Sequence, residues 1–263
     1  MTILQAIILA IIEGLTEFLP VSSTGHMILA DSLMKITDAE FTKTFEIVIQ
    51  LGAVLAVLFL YIKRFLVGID IYIKLAVAFI PTCLIGFFAY KTIKGYLFNP
   101  YVVSVALIVG GIALIMLDKW TGSRKGRYAD LENISTIDAV KIGLFQCISM
   151  IPGVSRAAAT IIGGIYAGFD RKQATEFSFL LAIPTMFAAS GLDLIKSGNV
   201  IHRNDWLLLL VGGGVAFVFA ALAVKLFIAF VPRYGFKHFG YYRILVGILF
   251  IALSLSLGIK VGI

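Results

Sequence analysis

The chain has 263 residues, of which 60% are hydrophobic and only 14% are charged, and its formal net charge is +7. Soluble domains carry about 25% charged residues, so this composition excludes an ordinary soluble protein and indicates an integral membrane protein. The positive charge does not indicate nucleic-acid binding, because the Lys and Arg residues lie in short segments between apolar runs. We expect a single transmembrane domain whose surroundings are the lipid bilayer, with no nucleic-acid partner.

Six apolar segments are long enough, or nearly so, to cross a bilayer as helices, which takes about 20 residues. They are residues 45–62, 71–90, 101–117, 177–192, 206–230 and 241–259. Two further apolar regions, 3–33 and 137–169, are interrupted by Gly, Pro and polar residues. Apolar pieces of about 10–14 residues with such breaks are typical of re-entrant hairpins. The predicted fold is an all-α polytopic membrane protein with six transmembrane helices and two re-entrant helical hairpins.

The same order of segments, a broken hairpin followed by three spans, occurs twice along the chain. The two halves are about residues 1–117 and 137–263, joined by a polar linker at 118–136. The spacing from Pro20 to Phe45 equals the spacing from Pro152 to Phe177. Because three crossings carry the chain to the other face, the second half starts there, which predicts an inverted-topology repeat. Paired interrupted segments in such repeats mark a binding site near the midplane.

The basic residues between the spans predict the orientation. The side with more Lys and Arg is the cytoplasmic side. Assigned to the linker side are Lys63, Arg64, Lys119, Arg124, Lys125, Arg127, Arg171, Lys172, Arg233, Lys237 and Arg243. Assigned to the other side are Lys35, Lys43, Lys91, Lys94, Lys196, Arg203 and Lys260. The linker is therefore predicted to be cytoplasmic, and the two hairpins should enter from opposite faces so that their tips can meet.

The first break carries two carboxylates in an apolar region. Glu13 and Glu17 are four residues apart and share one face of a helix, where two such groups need a proton or a cation between them. A hard divalent ion held by one or two carboxylates and by substrate phosphate suits this pair, Mg²⁺ first and Ca²⁺ as the alternative. Ordinary glutamates at the level of the lipid headgroups are the other interpretation.

The same break offers hydroxyls and an imidazole. Pro20 should stop the first helix, and Ser22, Ser23 and Thr24 are natural caps for the next one. A helix N-terminus binds phosphate through free N–H groups, so these residues are candidate substrate ligands. His26 is a candidate nucleophile, general acid or hydrogen-bond donor, and Ser22 or Ser23 could attack if His26 took the proton. A histidine satisfied in the core is the alternative.

The second break repeats this pattern with a cation. Gly153 permits a tight turn, and Ser155 can cap the following helix. We identify Arg156 as the only Arg within an apolar segment. Its planar guanidinium can bind phosphate through two hydrogen bonds in a site without water. Thr160 lies four residues on, on the same helical face. An arginine that extends to lipid headgroups is the alternative.

Two pairs near the starts of spans are candidates for an outer layer of the site. Glu46 and Gln50 lie in the first half, and Glu176 and Ser178 hold the matching place in the second half. Helix capping or contact with headgroups explains these residues equally well.

Two segments resemble the signature regions of the undecaprenyl-diphosphatase family, known for bacitracin resistance: EGLTEFLPVSSTGH, from Glu13 to His26, and PGVSR, ending at Arg156. The segments FEIVIQ from Phe45 and EFSFLL from Glu176 are also similar to family sequence, and the resemblance covers essentially the whole chain. It implies an inner-membrane enzyme that uses a divalent metal to hydrolyse undecaprenyl diphosphate to the monophosphate. That reaction recycles the lipid carrier of peptidoglycan synthesis. The resemblance further implies a homodimer whose catalytic site opens to the periplasmic side.

The resemblance assigns roles by position. It implies that Glu13 and Glu17 form an acidic motif. Ser23 and His26 match the candidate nucleophile and the acid/base, and the phosphate-binding loop corresponds to Ser155, Arg156 and Thr160. The family often has Ser and Gly where this chain has Ala157 and Ala158, so no role is carried over to those two positions.

Two rival functions are weighed against this one. Inverted repeats with re-entrant hairpins are also typical of secondary transporters and lipid flippases. Another class of membrane phosphatase needs a His-x-x-x-Asp pattern after its Ser-Arg, and no His follows Arg156 until His202. We favour in-line displacement at the terminal phosphorus, with His26 or Ser23 attacking or activating the attacker.

Overall fold

The structure is a computed structural model that describes residues 1–36, 39–66, 68–97, 100–122, 126–196 and 205–257. Several residues used in the orientation prediction lie outside the described residues, namely Arg124, Lys125, Arg203 and Lys260. So do His202, the side chains of Lys91, Lys94 and Lys196, and the last two residues of the predicted span 241–259.

The described part of the chain is all-helical and contains no strand. Its α-helices are α1 Ile3–Thr16, α2 Ser23–Met34, α3 Ala39–Leu60, α4 Ile62–Phe65, α5 Asp70–Leu97, α6 Pro100–Thr121, α7 Thr136–Ile148, α8 Arg156–Ala167, α9 Arg171–Lys196, α10 Trp206–Tyr234 and α11 Lys237–Leu257. A 3₁₀ turn, Leu131–Asn133, precedes α7.

Six helices within the described residues are long and apolar enough to cross a membrane, which confirms the six predicted spans. They are Glu40–Leu60, Asp70–Phe88, Tyr101–Thr121, Arg171–Asp193, Trp206–Tyr234 and Lys237–Leu255. Most extend beyond the predicted bounds, because hydropathy finds the apolar middle of a helix and misses its charged end turns.

The structure corrects the predicted position of one residue, Arg243. Arg243 lies in the second turn of a span, fully buried, so its assignment to a loop is wrong. The prediction that Arg156 is the only Arg in an apolar segment is wrong for the same reason. The predicted span 241–259 contains Arg243 and agrees with the structure on this point, whereas the place of Arg243 in the loop charge count does not.

Each half of the chain opens with two short helices separated by a break, as the sequence predicts. The first pair is α1 and α2, and the second is α7 and α8. Their entry into the bilayer from opposite faces stays a prediction.

Corresponding helices of the two halves take corresponding partners. By their order in each half, α1 corresponds to α7, and α5 corresponds to α10. Helix α1 packs against α10, and likewise α7 packs against α5. Likewise α3 packs against α9, and α6 against α11. Such an exchange of partners is what a two-fold relation between the halves predicts. The inverted repeat as such stays a prediction.

Asp138 anchors the polar linker to the start of α7, outside the membrane spans. Its side chain is only 5% exposed and accepts hydrogen bonds from Ser135 Oγ at 2.9 Å and Lys141 Nζ at 2.8 Å, and also from Arg127 and Tyr128. Burial opposes ionisation of this carboxyl, but the donors, Lys141 first among them, outweigh it and hold its pKa well below the usual range. Ionised Asp138 therefore stabilises the folded protein.

We expect Asp138→Asn to lower the free energy of unfolding at pH 7 by roughly 2–3 kcal/mol, the worth of one or two hydrogen bonds to a charged group. Because the folded pKa is lowered, this stabilisation is fully present above the unfolded pKa of about 4 and is lost as the pH falls through the folded value. Denaturant unfolding in detergent should show the gap to wild type narrowing below about pH 4. Asp130→Asn, at an exposed position, is the control; a gap unchanged at low pH would contradict the assignment.

Candidate active site

The two breaks are built alike, around serines that cap the helix that follows. Ser22 Oγ accepts from the Gly25 N–H at 3.4 Å, and Ser155 Oγ accepts from the Ala158 N–H at 3.2 Å, which confirms the predicted capping. Both serines have left-handed backbones, with φ of 70° and 74°. A non-glycine residue at positive φ is uncommon, and such strain costs about 1–3 kcal/mol. The packing around both breaks therefore holds these serines in place.

An ion pair joins the two breaks. Arg156 Nη2 lies 2.9 Å from Glu17 Oε1, and the two side chains are only 11% and 6% exposed. Ser23 Oγ donates to the other oxygen of the same carboxylate, Glu17 Oε2, at 2.6 Å. The structure thus brings together Glu17 and Ser23 from the first break and Arg156 from the second.

The guanidinium of Arg156 is held on several sides. Its Nη1 donates to the Ser178 carbonyl at 3.1 Å, and its Cζ lies 5.3 Å from the centre of the Phe18 ring. Its Nε is buried and has no hydrogen-bond partner among the described residues. A buried donor without a partner costs free energy unless a ligand accepts from it. The arrangement therefore leaves donor capacity for a bound anion.

A cavity of about 190 Å³ lies between the two breaks. Its lining residues are Glu17, Ser22, Ser23, Thr24, Gln50, Ser149, Pro152, Gly153, Ser155, Arg156, Thr185, Met186 and Ala189. All predicted site residues are among them except Glu13, His26 and Thr160. The hydroxyls, helix N-termini and Arg156 make the cavity suited to a small polyanion.

Glu13 lies one turn before Glu17, buried, and close enough to Glu17 and Glu46 for their charges to interact. Arg156 compensates Glu17, but no ion pair to Glu13 occurs among the described residues. Two carboxyl groups thus lie beside one guanidinium at this end of the site, and a cation held by one or two carboxylates and by substrate oxygens would complete the set. The site does not form an all-protein cage: no group of three or more His, Cys, Asp or Glu in the described chain is placed to hold a metal.

His26 lies beside the cavity, not in its lining. Its Nδ1 lies 2.8 Å from the Ser22 carbonyl, which can only accept, so Nδ1 carries a proton. The hydroxyl of Tyr242 lies 2.7 Å from Nε2, and the two rings are parallel within 4°. His26 therefore supports the backbone of the strained Ser22 through Nδ1, and in the neutral ring Nε2 accepts a hydrogen bond from the Tyr242 hydroxyl. The contact with Tyr242 was not predicted, because 216 residues separate the two in sequence.

Thr160 is buried between α8 and α9. Its hydroxyl donates to the Arg156 carbonyl at 2.9 Å and shares a hydrogen bond with Ser178 Oγ at 2.6 Å. It thereby fixes the helix turn that carries Arg156 and does not line the cavity. Of the outer-layer candidates, Gln50 lines the cavity, whereas Glu176 pairs with Arg64 and Lys172.

Arg243 is the residue of the site that sequence reasoning missed. It is fully buried, and its five hydrogen bonds all go to backbone carbonyls. They are to Pro20 at 3.1 Å, Gly153 at 2.8 Å, Val154 at 2.8 Å, Ala106 at 3.1 Å and Leu107 at 3.3 Å. Because Pro20 belongs to the first break and Gly153 and Val154 to the second, one side chain ties both breaks to α6. An Arg inside an apolar segment was the signal that could have identified it.

Gly153→Ala should lower the free energy of unfolding by more than about 1 kcal/mol, because Gly153 has φ of +91°. An added Cβ would also lie 2.5 Å from the Val103 carbonyl oxygen. Gly214→Ala is the matched control: it lies within α10, and nothing is within 4 Å of its Cβ position. Denaturant unfolding in detergent should leave that control as stable as wild type or slightly more so. Equal stability of the two variants would contradict the geometry.

The fold and the site together define a multi-pass helical membrane protein with a buried, charged cavity between two helix breaks. Residues 6–249 match the family described as Bacitracin resistance protein BacA. Three proteins called undecaprenyl-diphosphatase are among its relatives. That of Persephonella marina is 52% identical, over 95% of this chain and 98% of its own. That of Wolinella succinogenes is 51% identical over the same shares, and that of Aquifex aeolicus is 49% identical, over 97% of this chain and 100% of its own.

The chain therefore belongs to the bacitracin resistance protein BacA family. The resemblance noted in the sequence is confirmed, and the names of the relatives give the transporter alternative no support.

Proposed function

We propose that this protein is a membrane phosphatase that hydrolyses undecaprenyl diphosphate to undecaprenyl phosphate and inorganic phosphate. The observation that carries the proposal is the contact of Glu17 with both Arg156 and Ser23 in a buried cavity between two capped helix breaks. The cavity takes the diphosphate, and the prenyl tail lies along apolar grooves between the spans. The relatives named undecaprenyl-diphosphatase support this choice of substrate.

Among the candidate nucleophiles, the geometry favours Ser23, because it lines the cavity and its hydroxyl donates to a carboxylate. Ser23 Oγ attacks the terminal phosphorus, and its proton passes to Glu17. The bond from that phosphorus to the bridging oxygen breaks, and undecaprenyl phosphate leaves. Water then hydrolyses the phosphoserine to give inorganic phosphate. Arg156 and the N–H groups at the starts of α2 and α8 offset the charge on the phosphate oxygens.

Glu13 and Glu17 would hold a divalent ion, Mg²⁺ or alternatively Ca²⁺. When bound, it would supply positive charge for the diphosphate oxygens. Its fit rests on Glu13, a buried carboxyl group one turn from Glu17 that has no ion pair among the described residues.

The setting of the enzyme is part of the proposal. We place it in the bacterial inner membrane, with the linker cytoplasmic and the site opening to the periplasmic side, where it recycles the carrier lipid of peptidoglycan synthesis and gives bacitracin resistance. The basic residues on the linker side support this orientation. A homodimer rests on the family resemblance alone.

Sealed liposomes test the function. Protein reconstituted with undecaprenyl diphosphate should release inorganic phosphate without moving lipid from one leaflet to the other. Movement without phosphate release would replace the phosphatase by the transporter. A rapid quench in denaturant at neutral pH, where phosphoserine and phosphohistidine both survive, followed by mass spectrometry should locate a trapped phosphoryl group on Ser23; finding it on His26 instead would overturn the choice of nucleophile.

A further inference from the structure

A second polar cleft lies at the linker end of the bundle, away from the cavity between the breaks. Its volume is about 300 Å³, and residues of α6, α9, α10 and α11 line it. Its charged lining residues are Asp118, Lys119, Arg171, Arg233 and Lys237, joined by the ring of Tyr241. Four cations and a single carboxylate among these residues give the cleft a positive field.

The centre of this linker-end cleft is held rigidly. Asp118 Oδ1 accepts from Arg171 Nη2 at 2.6 Å and from the Phe236 N–H at 3.2 Å. Gly235, at φ of +68°, brings the turn between α10 and α11 so close that a Cβ there would meet Asp118 Oδ1 at 2.1 Å. Asp118 therefore fixes the guanidinium of Arg171 and the start of α11 to the end of α6.

Several positive groups in this cleft are left uncompensated. Within the described chain, Arg171 is the only one of the four cations that forms an ion pair. The buried Nε of Arg171 has no hydrogen-bond partner among the described residues. Lys119, Arg233 and Lys237 are exposed at the mouth. A ligand with several anionic oxygens matches this set, since guanidinium and ammonium groups bind phosphate through charge-assisted hydrogen bonds.

The surroundings of the cleft indicate a lipid. Met116 and Leu245 are exposed, and they lie three and four residues from Lys119 and Tyr241, so each shares a helix face with its neighbour in the cleft. The charged mouth thus continues into an apolar surface along α6 and α11. Tyrosine and basic side chains at the ends of spans lie at the level of lipid headgroups.

We propose that this cleft binds the phosphate group of an anionic phospholipid, with the acyl chains along α6 and α11. The site is separate from the proposed hydrolysis and does not depend on it. Native mass spectrometry of the detergent-purified protein tests it with dioleoylphosphatidylglycerol against dioleoylphosphatidylcholine. Wild type should bind the anionic lipid about tenfold more tightly or better, and Arg233→Gln/Lys237→Gln should remove about tenfold of that affinity. Denaturant unfolding in detergent should match wild type, which shows that the variant folds, and phosphate release from the diphosphate should stay unchanged.

Lys63→Gln/Lys74→Gln is the matched control. It removes the same charge near the same end of the bundle, from α4 and the start of α5, outside the cleft. Equal losses in the two double variants would overturn the proposal in favour of diffuse surface charge. Displacement of the lipid by inorganic phosphate at about its own affinity would overturn the lipid assignment. Wild type provides a second test: its preference for the anionic lipid should fade between about 50 and 500 mM salt, and a preference that persists would contradict a charge-based site.

Discussion

Glu17→Gln and Arg156→Ala should each lower kcat/KM for undecaprenyl diphosphate by at least about 100-fold, the usual cost of losing one group that stabilises a transition state. Gln keeps the shape of Glu17 but cannot take the proton of Ser23 or balance the charge of Arg156. The loss should appear mainly in kcat, because these groups act on the charge and proton transfer of the reaction.

The double variant sharpens this expectation. Glu17 and Arg156 share one ion pair, so removing both should cost much less than the product of the two single losses. Glu176 and Arg64 offer a matched pair outside the cavity, with the charged atoms 3.5 Å apart. Glu176→Gln and Arg64→Ala should leave kcat/KM within a few-fold of wild type. Near-normal turnover in Glu17→Gln or Arg156→Ala would contradict the proposed roles.

Arg243→Gln should lower both stability and activity. It leaves buried loop carbonyls of Pro20, Gly153 and Val154 without a donor, at a cost of roughly 3 kcal/mol or more. The two breaks should then lose their common register, and kcat/KM should fall by about 100-fold, since small misplacements of catalytic groups have effects of that size. Arg243→Lys should recover little, because one ammonium cannot reproduce the planar fork.

Gly110→Ala tests the position of Arg243 while its charge is kept. An added Cβ there would lie 2.3 Å from Arg243 Nη2 and 2.8 Å from Cζ, so it should displace the guanidinium and leave the charge in place. We expect a low kcat together with a lower free energy of unfolding than in Gly214→Ala, the neutral control, because the displaced guanidinium loses hydrogen bonds to buried carbonyls. Full activity in Gly110→Ala would show that the position of Arg243 does not matter to catalysis.

The sequence predicted the helix content, the six spans and the two breaks, because apolar periodicity and Gly or Pro interruptions are local signals. It also predicted that Glu17, Ser23 and Arg156 would meet, since the two halves repeat the same order of segments. Contacts such as that of His26 with Tyr242 could not be predicted, because they depend on how α11 rotates against α2. Arg243 was missed since a charge near the end of a span is normally a topology signal. Thr160 was predicted as a ligand because it shares a helix face with Arg156, but its short side chain bonds Ser178 of α9 and the Arg156 carbonyl and does not line the cavity.

The left-handed backbone at Ser22 and Ser155 implies a conflict between thermal stability and catalytic rate. Glycine adopts that conformation without strain, so Ser→Gly at either position would relax the break and make the protein harder to denature by heat. The same change deletes the hydroxyl that caps the helix at the mouth of the cavity. Variants selected for thermal stability by Ser→Gly at Ser22 or Ser155 should therefore have a lower catalytic rate.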